Sequence, residues 1–252
     1  MMTDLSGRVA VITGGGSGIG LGMAEGLAAA GADVALWARN QDRCAAAAEQ
    51  LRSFGLRAEA FTCDISDEDA VREATADTLD RLGRIDILMA NSGVADARPY
   101  VDTSLDDWHR VMKVNLDGTF LTTREVGRHM IERGTGGSIV LVSSLISRYG
   151  SIGFAAYGTS KTGLVGLGRS LAVEWARYGI RCNVLIPGWV ETPMTDAAGY
   201  DDRFKELITR RTPVRRWGTP EEFRDVAAFL GDPQLTFHTG NEVVVDGGYA
   251  VL

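Results

Sequence analysis

Tyr157 and Lys161 stand four residues apart in Ala155-Ala156-Tyr157-Gly158-Thr159-Ser160-Lys161. On a helix, that spacing puts both side chains on one face, one turn apart. An ammonium beside a phenol favours the phenolate, so the tyrosine is expected to ionise below its ordinary pKa of about 10. Such a pair can move a proton on or off an alcohol oxygen near neutral pH. The same two residues would equally make a charged patch on a solvated helix face. The elements that position them decide between the two.

Arg8–Thr13 is a short β-branched run that stops at glycines, the pattern of a buried parallel strand. Gly14-Gly15-Gly16-Ser17-Gly18-Ile19-Gly20 follows, then an alanine- and leucine-rich helical stretch to Ala30. Strand, glycine turn and helix N-terminus together receive a dinucleotide pyrophosphate: the glycines admit the phosphates and the helix dipole favours their charge. The spacing is Gly-x3-Gly-x-Gly over Gly14, Gly18 and Gly20, which departs from Gly-x-Gly-x-x-Gly. A second strand over Asp33–Ala38 follows Gly31, a helix C-cap. It ends in Trp37-Ala38-Arg39-Asn40, with no acid where an NAD site places one on the ribose hydroxyls. The Arg39 guanidinium suits a 2′-phosphate, so NADP(H) is expected ahead of NAD(H). The alternative is a surface arginine, with Asn40 capping the next helix.

A helix over 41–54 and a strand over 57–62 come next, and Asp64 stands just past the strand. Its carboxylate is placed either to accept from an adenine amino group or to serve the turn before Ser66. The Ser66-x-x-Asp69 pattern is expected to cap a helix from Asp67. Ile85–Ala90 reads as the fourth strand, with Asn91-Ser92-Gly93 turning away at the end where open α/β sheets place their ligand crevice. Asn91 suits a ribose contact, the pinning of neighbouring strands, or both. Ser104 opens a capping box and a long helix through Ile131. Asn115 lies inside it, a poor helix former whose burial would need internal hydrogen bonds or water. A fifth strand over 138–143 ends at Ser144, which alone reads as a turn residue. The helix over 155–178 carries Tyr157 and Lys161, and a sixth strand over 181–186 ends at Pro187-Gly188. Thr219-Pro220-Glu221-Glu222 opens a helix to about Leu230, before a final strand over 242–246. The βα alternation runs without linker or repeat. The expected fold is one α/β domain over 1–252: a doubly wound, mostly parallel seven-stranded sheet with helices on both faces, Rossmann-like.

Composition excludes other classes. The chain has 252 residues and a formal charge of −7, and so lacks the basic balance of a nucleic-acid surface. No apolar run approaches the roughly 20 residues of a membrane span. Met1-Met2-Thr3-Asp4 lacks the layout of an export signal, and Cys44, Cys63 and Cys182 are too scattered for a metal motif. A reducing, cytoplasmic setting is expected.

Taken jointly, these residues resemble the short-chain dehydrogenases/reductases. The match comprises Thr13-Gly14-x3-Gly18-Ile19-Gly20, Asp64, Asn91-Ser92-Gly93, Asn115, Ser144, Tyr157-x3-Lys161, Pro187-Gly188 with Thr192, and Asp246-Gly247-Gly248. It covers essentially the whole chain and is similar to compact members such as 3-oxoacyl-carrier-protein reductases and gluconate 5-dehydrogenases. Departures are Ala90 and Ser92 in the family's Asn-Asn-Ala-Gly turn, and Ser17 where many NADP-dependent relatives carry a basic residue. The resemblance implies a catalytic set of Asn115, Ser144, Tyr157 and Lys161. Tyr157 would exchange a proton with the substrate oxygen, Ser144 orient that oxygen, Lys161 hold the ribose and lower the tyrosine's pKa, and Asn115 anchor a water. It implies cofactor contacts from Gly14, Ser17, Gly18, Ile19, Gly20, Arg39, Asp64, Ile65, Asn91, Gly93, Pro187, Gly188, Val190 and Thr192, besides Tyr157 and Lys161. No metal is implied. A homotetramer or dimer built through the helices over 105–131 and 155–178 is implied as well.

Substrate contacts are expected from Ser144, Ile146, Tyr149, Phe154, Trp189 and Met194, a mainly apolar and aromatic wall. Arg148 reads as a solvated cation beside them. The implied activity is hydride transfer between NADP(H), or NAD(H), and a secondary alcohol or ketone, with a 3-oxoacyl thioester as one specific substrate. Nucleotide-sugar epimerases need a larger substrate domain, enoyl reductases space the Tyr and Lys further apart, and a non-catalytic dinucleotide sensor would tend to lose one of the pair. The segment over about 193–212 reads as a lid, with a hinge around Ala197–Asp202. Closure predicts that amide hydrogen exchange over 195–211 slows when cofactor binds; exchange unchanged by cofactor would count against it.

Overall fold

The structure is a computed structural model and describes residues 3–252, so the reading of Met1-Met2 falls outside the described residues. β1 (Val9–Thr13) runs into α1 (Gly18–Ala29), followed by β2 (Asp33–Ala38), α2 (Gln41–Arg52), β3 (Ala58–Thr62) and α3 (Glu68–Leu82). β4 (Ile87–Ala90) leads to α4 (Leu105–Met112) and α5 (Gly118–Arg133), then β5 (Gly137–Val142), α6 (Ala155–Trp175) and β6 (Ile180–Pro187). Two short helices, α7 (Pro193–Ala197) and α8 (Asp202–Arg211), precede α9 (Arg224–Gly231) and β7 (Glu242–Val245). The strand order is β3-β2-β1-β4-β5-β6-β7, and every pairing is parallel. The order reverses beside β1, which opens a crevice between the ends of β1 and β4.

Burial explains the strand compositions. Val9 and Val11 of β1 face a core completed by α3, α5 and α6, whereas Ala10 and Ile12 face one completed by α1, α2 and α9. A strand covered on both sides has no polar face, which is why β1 reads VAVIT rather than alternating. The α1 helix is held unusually close from behind. A Cβ on Gly22 would lie 2.0 Å from the Pro220 carbonyl oxygen, and one on Gly26 would lie 2.1 Å from that of Arg224. Glu25, between them, is buried and accepts from Arg224 Nε at 2.8 Å.

Three local expectations are corrected. The helix expected from Ser104 through Ile131 is two helices joined by a single π-turn over Lys113–Asp117. The extra residue of that turn lets Asn115 point inward, as an uninterrupted α-helix would not. The cap of α3 is Asp67, whose carboxylate accepts from the N–H groups of Asp69 and Ala70; Ser66 instead donates its hydroxyl to Asp64. The helix carrying Tyr157 finishes in a tighter turn over Ala176–Tyr178. Among the described residues, no helix is long and apolar enough to cross a membrane.

Candidate active site

The glycine turn forms the floor of a cleft of about 440 Å³ at the C-terminal ends of the strands. Gly14 and Gly18 adopt left-handed backbone, φ +66° and +54°, which only glycine takes without strain. A Cβ on Gly20 would lie 2.3 Å from the Gly14 carbonyl oxygen, so the turn can close only with glycine there. Ser17 at the N-cap of α1 makes no side-chain cap bond, leaving the first N–H groups of the helix for an anion. Ser17, Ile19 and Gly20 line the cleft, as expected.

On the β2 side the cleft is bounded by Arg39, Asp64 and Ile65, and by Arg43, which the sequence reading missed. Asn40 accepts the Arg43 N–H at 2.9 Å as the cap of α2. Arg43 therefore sits in the first turn of that helix and faces the same space as Arg39. Burial raises the Asp64 pKa, but two hydrogen bonds from Ser66 and the charges of Arg39 and Lys113 outweigh it and hold the carboxyl below its ordinary value. Asp64 thus lines the cleft and organises the turn into α3 through Ser66.

On the β4 side, Thr13 Oγ1 accepts the N–H groups of Asn91 (2.9 Å) and Ser92 (3.0 Å), and Asn91 Nδ2 donates to the Thr13 carbonyl (3.0 Å). Asn91 thus pins β1 to β4 at the rim. Asn115 is fully buried. Its Oδ1 accepts the Val94 N–H at 2.8 Å, and its Nδ2 donates to the Val94 carbonyl (3.0 Å) and to Ser160 Oγ (2.9 Å). Ser160 in turn donates to the Tyr157 carbonyl at 2.7 Å.

Lys161, Tyr157 and Ser144 lie outside the lining of this cleft; Lys161 Nζ stands behind its Gly93, where a Cβ would lie 3.2 Å away. Its ammonium is buried and donates to the Val142 carbonyl at 2.8 Å; no carboxylate pairs with it among the described residues. Burial pulls its pKa down from 10.5 to about 8. Burial likewise pushes Tyr157 up to about 12, against the Ser144 hydroxyl, which lowers it, and with the Tyr200 phenol, which raises it. The expected depression of Tyr157 by Lys161 is therefore corrected. The two do share a helix face, with Nζ 5.7 Å from the phenol ring centroid, but in a dry site desolvation exceeds the attraction.

Thr192 lines the cleft and caps α7 through Thr195, whereas Pro187, Gly188 and Val190 lie outside the lining. The Gly188 N–H donates to the Val245 carbonyl (2.9 Å), and Val190 is buried and bridges to Gly218, so these three fix the path that delivers Thr192. Among the expected substrate contacts, Phe154 packs edge-on to Tyr157 (6.2 Å between centroids) and Ile146 lies against Gly158. Trp189 is embedded among Tyr200, Phe204 and Trp217. Met194 lines the dinucleotide cleft. The Tyr149 hydroxyl donates to the Ala250 carbonyl, and its ring meets Tyr249 edge-on. Arg148 is not solvated as expected: it pairs with Glu242 at 2.7 Å.

Residues 14–250 match the family model described as Enoyl-(Acyl carrier protein) reductase. The chain is 37% identical over 248 residues to gluconate 5-dehydrogenase of Gluconobacter oxydans, covering 98% of this chain and 96% of that protein. The chain belongs to the short-chain dehydrogenase/reductase family. It is 36% identical to 3-oxoacyl-[acyl-carrier-protein] reductase of Chlamydia pneumoniae, covering 98% and 99% of the two chains. The crystal structure of a gluconate 5-dehydrogenase from Burkholderia cenocepacia, in complex with NADP and tartrate, superposes with a TM-score of 0.93 at 38% identity, over 99% and 97% of the chains. As a short-chain dehydrogenase/reductase, the protein is an NAD(P)-dependent oxidoreductase.

The residues fit a dinucleotide: an open helix N-terminus could take a pyrophosphate, and Lys161 is a buried donor short of acceptors. Below pH 8 Lys161 is charged in both folded and unfolded chains, and the fold bears the full cost of burying it. Between pH 8 and 10.5 the folded lysine loses its proton first, so that cost disappears as pH rises. Lys161→Met is therefore expected to stabilise the cofactor-free protein at pH 7, by on the order of 3 kcal/mol. The difference in melting temperature should shrink towards pH 10. A variant no more stable than the parent at pH 7 would refute the burial account.

Proposed function

We propose that the protein is an NADP(H)-dependent oxidoreductase of a secondary alcohol/ketone pair, with Tyr157 as the group that gives and takes the proton. The observation that carries the cofactor choice is the pair Arg39 and Arg43 on the β2 side of the cleft. Neither is engaged in an ion pair among the described residues, and together they present two guanidiniums to a 2′-phosphate. No carboxylate stands after β2 where NAD-specific sites hold the ribose hydroxyls.

The bound dinucleotide supplies or accepts the hydride. The chain's own residues do the rest. With its pKa pushed up to about 12, Tyr157 is a neutral phenol at pH 7 and ready to protonate a carbonyl oxygen as it becomes an alkoxide. Ser144 faces that phenol and donates to the same oxygen, favouring the charge that develops there. Lys161 holds the ribose hydroxyls and, with an oxidised nicotinamide nearby, lowers the tyrosine towards base strength for alcohol oxidation. Asn115 acts through Val94 and Ser160 as a positioning residue.

For the substrate we favour a small hydroxylated carbon chain, the class in the printed names of the gluconate dehydrogenases among the relatives. Supporting it is a half-buried cluster of aromatic rings, Trp189, Phe204 and Tyr200, whose Tyr200 phenol is near enough to Tyr157 to affect its ionisation. A 3-oxoacyl thioester is the second reading, on the strength of the carrier-protein reductase at 36% identity. A panel of polyols, sugar acids and 3-oxoacyl thioesters with both cofactors separates the two. The segment from α7 to α8 is proposed to close over whichever is bound.

Tyr157→Phe is expected to cut turnover roughly 10²–10⁴-fold while leaving dinucleotide affinity nearly intact; turnover persisting at the parent rate would remove the tyrosine from the mechanism. Replacing Arg39 and Arg43 together by serine should raise KM for NADPH by about tenfold or more and leave that for NADH little changed. Equal effects on both cofactors would argue against 2′-phosphate recognition.

A further inference from the structure

A second cavity, of about 320 Å³, opens at the opposite edge of the sheet, among the N-terminal ends of β4, β5 and β6. That size lies within the range of small-ligand sites, roughly 300–1,000 Å³. Arg8, Asp86, Arg181, Thr135, Thr236 and Thr239 line it. No residue of the cofactor cleft takes part.

The cavity is built around an over-subscribed carboxylate. Asp86 is 4% exposed. A carboxylate offers about four lone-pair sites. Here five donors converge: the Val9 N–H at 3.0 Å, Arg84 Nε and Nη2 at 2.8 and 2.7 Å, Arg133 Nη1 at 2.9 Å and Arg8 Nη1 at 3.2 Å. Arg84 and Arg133 hold Asp86 at short range, and Arg133 is further tied to the Ile85 and Gly136 carbonyls. These two arginines belong to the architecture. Arg8 does not fit that description: it makes the longest of the five contacts, with one nitrogen, and a third of its side chain is exposed.

Charge points the same way. Arg181, 5% exposed, is met by the carbonyls of Leu230, Asp232 and His238 rather than by an ion pair. The carboxylates that act on these arginines are Asp86 and Asp232, with Glu132 acting on the neighbouring His129, against four guanidiniums. A positive charge is therefore left over at a cavity, in a protein whose net charge is −7. Arg133 Nε is buried without any acceptor. A surplus cation in a partly desolvated hollow, flanked by hydroxyls, is the setting in which an anion binds.

We propose that this cavity is a binding site for a phosphate group, free or as a small monoester, with Arg8 as the direct charged contact and the Thr135 and Thr236 hydroxyls as further donors; the Thr239 hydroxyl is engaged by Cys182. The site stands apart from the redox chemistry and is read without using it. Isothermal titration tests it in protein saturated with NADPH, so that Arg39 and Arg43 are already occupied. Inorganic phosphate and glycerol 3-phosphate are titrated separately; saturable one-site heat with either supports the site, and the tighter of the two identifies free phosphate or ester.

Arg8→Gln should weaken binding at least tenfold. Thr236→Asp, at an exposed position whose change leaves the core untouched, should abolish it. Both variants should keep the parent turnover. Absence of saturable heat in the parent overturns the proposal, and so does unchanged affinity in the Thr236→Asp protein. The second variant keeps the test decisive should Arg8→Gln disturb the start of β1.

Discussion

The carboxamide of Asn115, itself fully buried, uses its oxygen on one backbone N–H and its two amine hydrogens on a carbonyl and a hydroxyl. Those three partners belong to the turn after β4 and to α6. The amide therefore fixes the distance between the strand end that borders the cofactor and the helix that presents Tyr157. A π-turn is the cost: one residue of α-helical regularity is given up so that the amide can face inward. Leaving the Val94 groups without it would deprive two part-buried backbone polar atoms of their partner, at up to about 1–3 kcal/mol each. Neither the rim nor α6 could keep its place alone, and the clamp explains why a poor helix former sits where helix is expected.

Around that clamp the site is electrostatically unfinished. A lysine is buried against a lone carbonyl, and a tyrosine is dried to the point of holding its proton firmly. On the proposed reading, the ribose hydroxyls and cationic ring of a bound dinucleotide would change both environments. The same reasoning separates the two ends of the sheet. At the strand C-termini stand backbone N–H groups and cations without an ion pair among the described residues, whereas at the N-termini most of the arginines are absorbed by Asp86 and by backbone carbonyls.

Much of this was legible in the sequence because the governing signals are local. The Asp33–Ala38 strand, the glycine loop and the Ser104 capping box are written in adjacent residues, and the structure reproduces them. Arg43 was overlooked although its signal was present: Asn40 caps α2, which puts Arg43 four residues after Arg39 on the cleft side. Cap competition decided between Ser66 and Asp67, since a carboxylate accepts two N–H bonds where the hydroxyl was drawn away to Asp64. The ionisation of Tyr157 was read with the wrong sign, because spacing reveals a charged neighbour but not how dry the neighbourhood is. The packing of Trp189 with Tyr200, Phe204 and Trp217 joins separate stretches of chain, and the engagement of Arg148 by Glu242 spans 94 residues. No window of sequence contains either.

The close seat of α1 against the Pro220–Arg224 backbone bears on how the protein comes into being. Glu25 is joined to Arg224 across 199 positions. The α1 helix is thus synthesised well before the Pro220–Arg224 segment that covers its rear surface. Contacts so distant in sequence form late and slowly. A nascent chain that has already emitted its whole glycine loop would still carry it on a half-supported helix, with the Gly22–Gly26 face bare. Dinucleotide binding should therefore mature with the docking of the Pro220–Arg224 segment rather than with the appearance of the glycine motif, so that competence for the cofactor doubles as a report that this distant contact has formed.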